Sequence, residues 1–245
     1  MSVGEILLYA VLPYVAVTIF IVGHIWRYRR DQYGWGTRSS QLLESKTLRY
    51  GSTIFHFGLL AAIGGHVLGL LVPQSWTTAL GVDDNAYHVL AVVGGVAAGG
   101  AVIVGFSILV WRRLRFPAVR TVTTRMDVVT FAVLALVIIT GDLATVTNFG
   151  DVVHYRESVG PYFRQIFVLD PSPALMTGGE VTLIFQIHVT SAWLLFAVWP
   201  FSRLVHAWSV PMDWLLRRSP IPFRSRTGRP SMENQHVTMR SSHQS

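Results

Sequence analysis

The stretch TIFHFGLLAAIGGHVLGLLV, residues 53–72, has no acidic or basic residue apart from its two histidines. It is long enough to cross a membrane, since about 20 helical residues span a hydrocarbon core of roughly 30 Å. Two histidines, His56 and His66, stand in this otherwise apolar segment. An imidazole in hydrocarbon is energetically costly and tends to mark a functional site. These two residues are therefore candidates for a functional site.

The rest of the chain has the composition of a membrane protein. Of 245 residues, 51% are hydrophobic and only 13% are charged, whereas soluble domains carry about 25% charged residues. Because hydrocarbon offers the backbone no hydrogen-bond partner, each long apolar segment is predicted to be a helix. We predict an all-α integral membrane fold with five transmembrane helices, over residues 6–26, 53–72, 87–111, 128–149 and 181–208.

The distribution of lysine and arginine predicts the orientation in the membrane. Residues 1–26 and 73–86 contain no lysine or arginine. The segments between them and after them contain more: six in 27–52, five in 112–127, two in 150–180 and six in the tail after Val210. Because basic loops remain on the cytoplasmic side, the N-terminus is predicted to lie outside and the C-terminus in the cytoplasm. The net charge of +7 would then face anionic lipid or an acidic partner. Its division among several loops argues against nucleic-acid binding.

The domain organisation is simple. We predict one membrane domain over residues 1–218 and a polar, flexible cytoplasmic tail over residues 219–245, since the tail is nearly free of aliphatic residues. The first span is too long for the core of a signal peptide and lacks a basic start, so no cleaved signal peptide is expected.

The absence of cysteine limits the metal chemistry. It excludes iron–sulfur ligation, zinc thiolate sites and covalent attachment of c-type haem by the chain. Nine histidines remain as metal ligands. Five lie at span ends, in a loop or in the tail and are expected to be solvated or interfacial: His24, His88, His154, His236 and His243.

The other four histidines fall at two depths. His66 and His188 are each predicted about 20 Å from the inner face, from the rise of 1.5 Å per residue. His206 follows His188 by about 27 Å of straight helix, and tilt with a kink at Pro200 would bring it near the level of His56. The second and fifth spans thus carry two pairs, one near each face.

Paired imidazoles favour haem as the ligand. His56 and His66 are ten residues apart, lie on different sides of the helix and cannot chelate one ion. A zinc site would need two further ligands in each pair, whereas two opposed imidazoles fill the axial positions of a haem iron. We predict two non-covalent, bis-histidine b-type haems that transfer electrons. The alternative is a haem-free transporter or scaffold whose histidines form hydrogen bonds between helices.

Three further features each allow two interpretations. The glycines around His66, and the run GGVAAGG at residues 94–100, indicate close helix packing or space for a flat macrocycle. Arg203 could neutralise a haem propionate or extend to the membrane interface. Asp142 could carry a proton outward or form a hydrogen bond with Thr140 or Thr145.

Three motifs resemble the γ subunit of respiratory nitrate reductase, a cytochrome b membrane anchor. They are SSQLLESK (Ser39–Lys46), HFGLLAAIGGHVLG (His56–Gly69) and PFSRLVHAWSVP (Pro200–Pro211). The resemblance covers residues 1–218. It implies haem ligation by His66 with His188 on the outer side and by His56 with His206 on the inner side. It also implies a quinol site around Gly65 and His66.

The same resemblance implies a function and partners. The subunit would oxidise menaquinol or ubiquinol near the outer face of the cell membrane and pass electrons inward. An iron–sulfur β subunit and a molybdenum-containing α subunit on the cytoplasmic side would then reduce nitrate to nitrite. A dihaem anchor of hydrogenase or formate dehydrogenase type is the nearest alternative.

One feature departs from the family. Related proteins have a lysine near the outer start of the third helix that is associated with quinol binding, whereas the only lysine here is Lys46. Asn85, Ala86, Tyr87 and His88 stand at the corresponding place. His88 is therefore a candidate to form a hydrogen bond with the quinol or to accept its proton.

Overall fold

The computed structural model describes residues 2–30, 43–150 and 153–208. Within these ranges the chain forms helices and no β-strand. Five of the described helices are long and apolar enough to cross a membrane, which confirms the predicted number. The predicted tail, 219–245, and the end of the predicted membrane domain lie outside the described residues.

The described part of the chain contains five long helices and four short ones, besides two 3-10 segments at residues 199–201 and 203–208. The long helices are α1 (Val3–Arg30), α2 (Lys46–Leu71), α4 (Asp84–Arg115), α6 (Arg125–Thr147) and α9 (Leu183–Val198). The short helices are α3 (Gln74–Ala79), α5 (Pro117–Thr121), α7 (Val159–Phe167) and α8 (Ala174–Thr177). Helices α1 and α2 each include one π-helical turn, at Leu7–Val11 and Val67–Leu71.

Polar side chains fix where several helices begin. Asp83 accepts a hydrogen bond from the Ala86 amide at the start of α4. Thr124 and Asp127 form a capping box at the start of α6, in which each side chain accepts a bond from the other residue's amide. Such caps stabilise a helix start because the first amides have no partner within the helix.

Helix packing runs in the order α2, α4, α6, α9, α1. Glycines allow α2 to approach α4 closely: a Cβ on Gly58 would lie 2.8 Å from Ala101, and one on Gly51 would lie 2.8 Å from Ile108. Small residues at such contacts are typical of membrane helices. In this order α2 and α9, which carry histidines, are not neighbours. They face each other across the bundle.

The segment between α6 and α9 caps one end of the bundle. The sequence predicts residues 150–180 only as a connecting segment, but the structure contains α7 and α8 there. Tyr162 and Met176 of these helices are fully buried, in a cluster with Tyr9 and Trp193. The Tyr162 hydroxyl donates to the Tyr9 carbonyl oxygen at 2.9 Å, and burial raises the pKa of Tyr162.

The fifth span differs from its prediction. The sequence predicts one helix over residues 181–208 with a kink at Pro200, but α9 ends at Val198. A 3-10 turn, Trp199–Phe201, then an extended Ser202 (φ −104°, ψ 179°) and a 3-10 helix, Arg203–Trp208, follow. Proline lacks an amide hydrogen and its ring clashes with the preceding turn, which explains the break.

Candidate functional site: two histidine pairs between the second and fifth spans

The structure brings the four membrane histidines together as two cross-bundle pairs. The ring centroids of His66 and His188 lie 6.0 Å apart, with 36° between the ring planes. Those of His56 and His206 lie 5.9 Å apart, with 72° between the planes. The first pair joins α2 to α9, and the second joins α2 to the 3-10 helix, Arg203–Trp208, that follows α9.

The spacing of both pairs fits one metal ion between two imidazoles. A metal–imidazole bond is about 2.0 Å long, and the ring centre lies about 1 Å beyond the bonded nitrogen. Two axial imidazoles therefore have centroids about 6 Å apart. The observed separations of 6.0 and 5.9 Å agree with that value.

Backbone carbonyls favour the same tautomer in all four rings. Each Nδ1 lies within hydrogen-bond distance of a carbonyl oxygen: His56 to Ser52 (2.7 Å), His66 to Ala62 (2.7 Å), His206 to Arg203 (2.7 Å) and His188 to Val137 (3.1 Å). Because a carbonyl oxygen only accepts, Nδ1 carries the hydrogen in each ring. The neutral ring then keeps its lone pair on Nε2, the arrangement that metal-binding histidines use.

Helix α6 shapes the position of His188. The Thr140 hydroxyl lies 3.3 Å from Nδ1 of His188. Gly141 packs directly against the ring, since a Cβ at this position would lie 2.8 Å from Cε1. The imidazole of α9 is therefore held by two consecutive residues of α6 as well as by the Val137 carbonyl.

The glycines of the two runs, those next to His66 and those at residues 94–100, have two kinds of surroundings. No atom lies within 4 Å of a Cβ placed on Gly64 or Gly65, next to His66, so this helix face borders open space. By contrast, a Cβ on Gly95 would lie 3.0 Å from Thr145, which is close helix packing. The packing interpretation therefore applies to Gly95, while the space beside Gly64 and Gly65 suits a flat macrocycle.

The donor set at each pair consists of imidazoles. Among the described residues, no group of three or more His, Cys, Asp or Glu side chains is arranged to hold a metal ion. A zinc site would require two further protein ligands. An iron porphyrin supplies its own four equatorial nitrogens and needs only the two axial ligands that each pair offers. The residues present therefore fit b-type haem.

Arg203 pairs with a residue that the sequence analysis did not single out. Its Nε lies 2.6 Å from Oδ1 of Asp127, and the Asp127 side chain is only 5% exposed. Arg113 of α4 contacts the same carboxylate at 3.3 Å. The pattern Thr124-x-x-Asp127 before an apolar run predicts a capped helix start, but no sequence pattern points to these arginine partners.

Asp142 does not form the hydrogen bonds that one interpretation of the sequence predicts. Within the described ranges, Oδ2 of Asp142 is buried without a hydrogen-bond partner. The Thr140 hydroxyl donates to the Leu136 carbonyl at 2.6 Å and the Thr145 hydroxyl to the Gly141 carbonyl at 3.1 Å. Both threonines thus satisfy backbone groups of their own helix.

A cavity lies at the end of the bundle nearest the His66–His188 pair. It measures about 200 Å³, and its walls include Gln74, Asp84, Tyr87, His88, His154 and Arg156. A Cβ on Gly69, three residues after His66, would lie 3.5 Å from the Tyr87 hydroxyl. The cavity wall is therefore close to the helical turn that follows His66.

Arg156 connects several residues of the cavity wall through its guanidinium group. It forms an ion pair with Asp84 at 2.9 Å, and its guanidinium carbon lies 3.9 Å from the centre of the Tyr87 ring. It also donates to the Thr77 hydroxyl. His88 contributes a different contact, in which Nε2 lies 3.3 Å from the Phe149 carbonyl oxygen.

An ion pair also closes the opposite end of the bundle. Nε of Arg112 lies 2.7 Å from Glu44, whose side chain is 12% exposed. Glu44 precedes α2 and accepts the Thr47 amide at 2.7 Å. Although burial opposes the shift, hydrogen bonds from Thr47, Arg112 and Leu48 lower the pKa of Glu44 to about 2.

The five spanning helices define a multi-pass integral membrane protein with two cross-bundle histidine pairs. Comparison with known sequences shows the family to which this membrane protein belongs. The model of the family described as "Nitrate reductase gamma subunit" matches residues 5–226. The chain belongs to this family, which confirms the resemblance found in the sequence motifs.

Three relatives illustrate the similarity. The nitrate reductase gamma chain of Bacillus subtilis is 41% identical over 225 residues, covering 91% of this chain and 99% of the relative. The respiratory nitrate reductase 2 gamma chain of Escherichia coli is 32% identical, covering 89% and 96%. The nitrate reductase-like protein NarX of Mycobacterium tuberculosis is 48% identical over 91% of this chain. The chain spans only 34% of the length of NarX.

Proposed function

We propose that this protein is the quinol-oxidising membrane subunit of a respiratory nitrate reductase and that it holds two non-covalent b-type haems. The main support for this proposal is the geometry of the two histidine pairs. Both pairs have the separation of axial ligands, 6.0 and 5.9 Å, and every Nδ1 is bonded to a backbone carbonyl. Histidines serving only as helix contacts would have no reason to share both features.

Each pair has a distinct role in the proposal. His66 and His188 form the outer haem site, and His56 and His206 form the inner haem site. The haems, when bound, would supply reversible one-electron transfer, and the four histidines would hold them. The two α2 histidines lie about 15 Å apart along the helix. The sites are therefore arranged one above the other across the membrane.

The cavity near the outer site is the proposed place of quinol oxidation. Its wall offers hydrogen-bonding groups on His88 and Tyr87, and Gly65 leaves space beside His66. We assign His88 as the group that accepts a hydrogen bond, and then a proton, from a hydroxyl of menaquinol or ubiquinol. The lysine that related proteins have near this position is absent here.

Orientation and partners complete the proposal. The basic loops favour an orientation with the N-terminus outside and the C-terminus in the cytoplasm. Oxidation of one quinol would release two protons outside and send two electrons inward. An iron–sulfur β subunit and a molybdenum-containing α subunit would receive the electrons on the cytoplasmic side. The gamma-chain names of the relatives favour nitrate as the final acceptor.

Spectroscopy of histidine variants tests the haem sites. Reduced-minus-oxidised spectra would be recorded for the wild type and for single alanine variants of His56, His66, His188 and His206. Each variant of one pair should lose the same spectral component. A wild-type protein without haem absorption, or two members of a pair affecting different components, would refute the proposal.

An electron-transfer assay tests the assignment to nitrate reductase. Membranes containing the assembled complex would be supplied with a reduced quinol analogue and with nitrate. Reoxidation of the haems on nitrate addition is expected. Haem reduction by hydrogen or formate through a hydrogenase or formate dehydrogenase partner, without reoxidation by nitrate, would instead support the alternative complexes.

A further inference from the structure

Asp127, at the start of α6, is a buried carboxylate that holds two arginines. Both of its oxygens accept hydrogen bonds from Arg203, from Nε at 2.6 Å and from Nη2 at 2.8 Å. Arg113 of α4 adds a donor at 3.3 Å. A forked pair of this kind fixes orientation as well as distance, because two parallel N–H bonds must be satisfied at once.

Arg203 also orients the ring of His206. Its backbone carbonyl accepts the Nδ1 hydrogen bond of His206 at 2.7 Å. Its guanidinium is additionally fixed by the Val122 carbonyl at 3.0 Å. One residue therefore connects the α6 carboxylate to the imidazole. The fork that holds the Arg203 side chain on Asp127 therefore anchors the residue whose carbonyl sets the ring.

His206 differs from the other three histidines in the element that carries it. His56, His66 and His188 lie on long helices, whereas His206 lies on a short 3-10 helix after the extended Ser202. Short 3-10 helices have poor hydrogen-bond geometry and depend on their surroundings. Here Arg27 of α1 also supports the segment, donating to the Ser202 carbonyl at 2.8 Å.

We propose that Asp127 is a positioning residue for His206 and that it tunes the inner haem site. This inference rests on the proposed function, because it concerns the ligand of the proposed inner haem. Asp127 places one negative charge beside the positive charges of Arg113 and Arg203. Loss of that charge leaves two cations near the site, which favours the reduced form of the iron and raises its midpoint potential.

The test is a redox titration of both haem components in the assembled complex. Asp127→Asn removes the charge but nearly preserves the side-chain volume. Retention of the inner haem should become about tenfold weaker, at the lower end of the loss seen when groups that orient metal-binding histidines are removed. Any inner haem that remains should show a raised midpoint potential. The outer component should keep its wild-type spectrum and potential, which also reports that the bundle is folded.

A matched control and a second variant make the test decisive. Glu44→Gln removes another carboxylate from a buried arginine pair at the same end of the bundle, with the pair at 2.7 Å. Both haem components should remain unchanged in it. Arg203→Lys keeps the positive charge but loses the fork, and should affect the inner component alone. This variant decides the question should Asp127→Asn fail to accumulate.

Two results separate the inference from the function on which it rests. If Asp127→Asn and Arg203→Lys both keep wild-type occupancy and potential at the inner site, the positioning role of Asp127 is refuted while the haem sites stand. If the wild-type protein holds no haem, the proposed function itself fails.

Discussion

Gly141 lies directly against the imidazole of His188, so that α6 and α9 meet at the ring of a proposed haem ligand. A Cβ at Gly141 would stand 2.8 Å from Cε1 and 3.2 Å from Nδ1 of His188. No side chain larger than hydrogen fits there without displacing the ring. The position of His188 therefore depends on a glycine in a different helix.

Gly141→Ala should selectively damage the outer haem site. The added methyl group would push the ring of His188 away from its position opposite His66, and haem retention should fall about tenfold. The inner component should persist in the reduced-minus-oxidised spectrum. Gly179→Ala is the control, since no atom lies within 4 Å of its Cβ position. Equal loss of both components in Gly141→Ala would show general misfolding and contradict this prediction.

Gly65→Leu tests whether the open face beside His66 holds a macrocycle. The polypeptide alone has room for the side chain, because no atom lies within 4 Å of the Cβ position. The variant should accumulate normally and yet lose the outer spectral component. Normal accumulation together with a normal spectrum would show that the space beside Gly65 is not used by haem.

Gly58→Ala provides the contrasting result for a packing glycine. Its Cβ would meet Ala101 at 2.8 Å and the Val102 backbone nitrogen at 2.9 Å. Overpacking of this kind costs about 1–3 kcal/mol. Thermal unfolding in detergent should occur at a lower temperature, with both haem components reduced together. Unchanged stability would mean that α2 and α4 can separate at no cost.

His88→Ala should slow quinol oxidation without changing the haem spectra. Loss of a positioned proton acceptor lowers rates by about a hundredfold or more. Steady-state oxidation of a quinol analogue measures the rate, and the spectra confirm intact haem sites. Thr78→Ala, an exposed residue of α3 outside the cavity wall, is the control. A wild-type rate in His88→Ala would remove His88 from the mechanism.

Glu44 should make the stability of the bundle sensitive to acid. Its folded-state pKa of about 2 lies below its ordinary value of 4.5, so the ionised form stabilises the folded state. That stabilisation is complete above the ordinary pKa and is lost as the pH falls toward the folded-state value. The wild type should therefore lose stability more steeply than Glu44→Gln between pH 4.5 and pH 2. Parallel curves from thermal unfolding in detergent would show that the Glu44–Arg112 pair contributes nothing.

The spans were predictable because they depend on local composition. A membrane helix must be about 20 residues long and apolar, and both requirements are visible in the sequence. Pairing of the histidines was also predictable, because helix rise alone places His66 level with His188. The break at Pro200 was only partly foreseen. The sequence indicates a kink, but whether a proline bends or ends a helix depends on neighbouring contacts such as Arg27 with the Ser202 carbonyl.

Features that depend on contacts between distant segments were not predictable. The sequence predicts that Asp127 caps a helix. Its pairing with Arg203 depends on how α6 lies relative to the segment after α9, which the sequence does not show. The roles of the glycines divide in the same way. Gly65 and Gly95 belong to similar sequence runs, but only the structure shows that Gly65 borders open space and that Gly95 packs on Thr145.

The pairing of α2 with the final segment also constrains biogenesis. A chain synthesised from its N-terminus presents His56 and His66 early, but their partners emerge only with the last spanning segment. The His66–His188 pair cannot form until residue 188 has been synthesised, and the His56–His206 pair must wait for residue 206. Binding of the proposed haems would therefore follow synthesis of the segments that carry His188 and His206. Any factor that inserts the proposed haems would have to act after the segment carrying His188 has been synthesised.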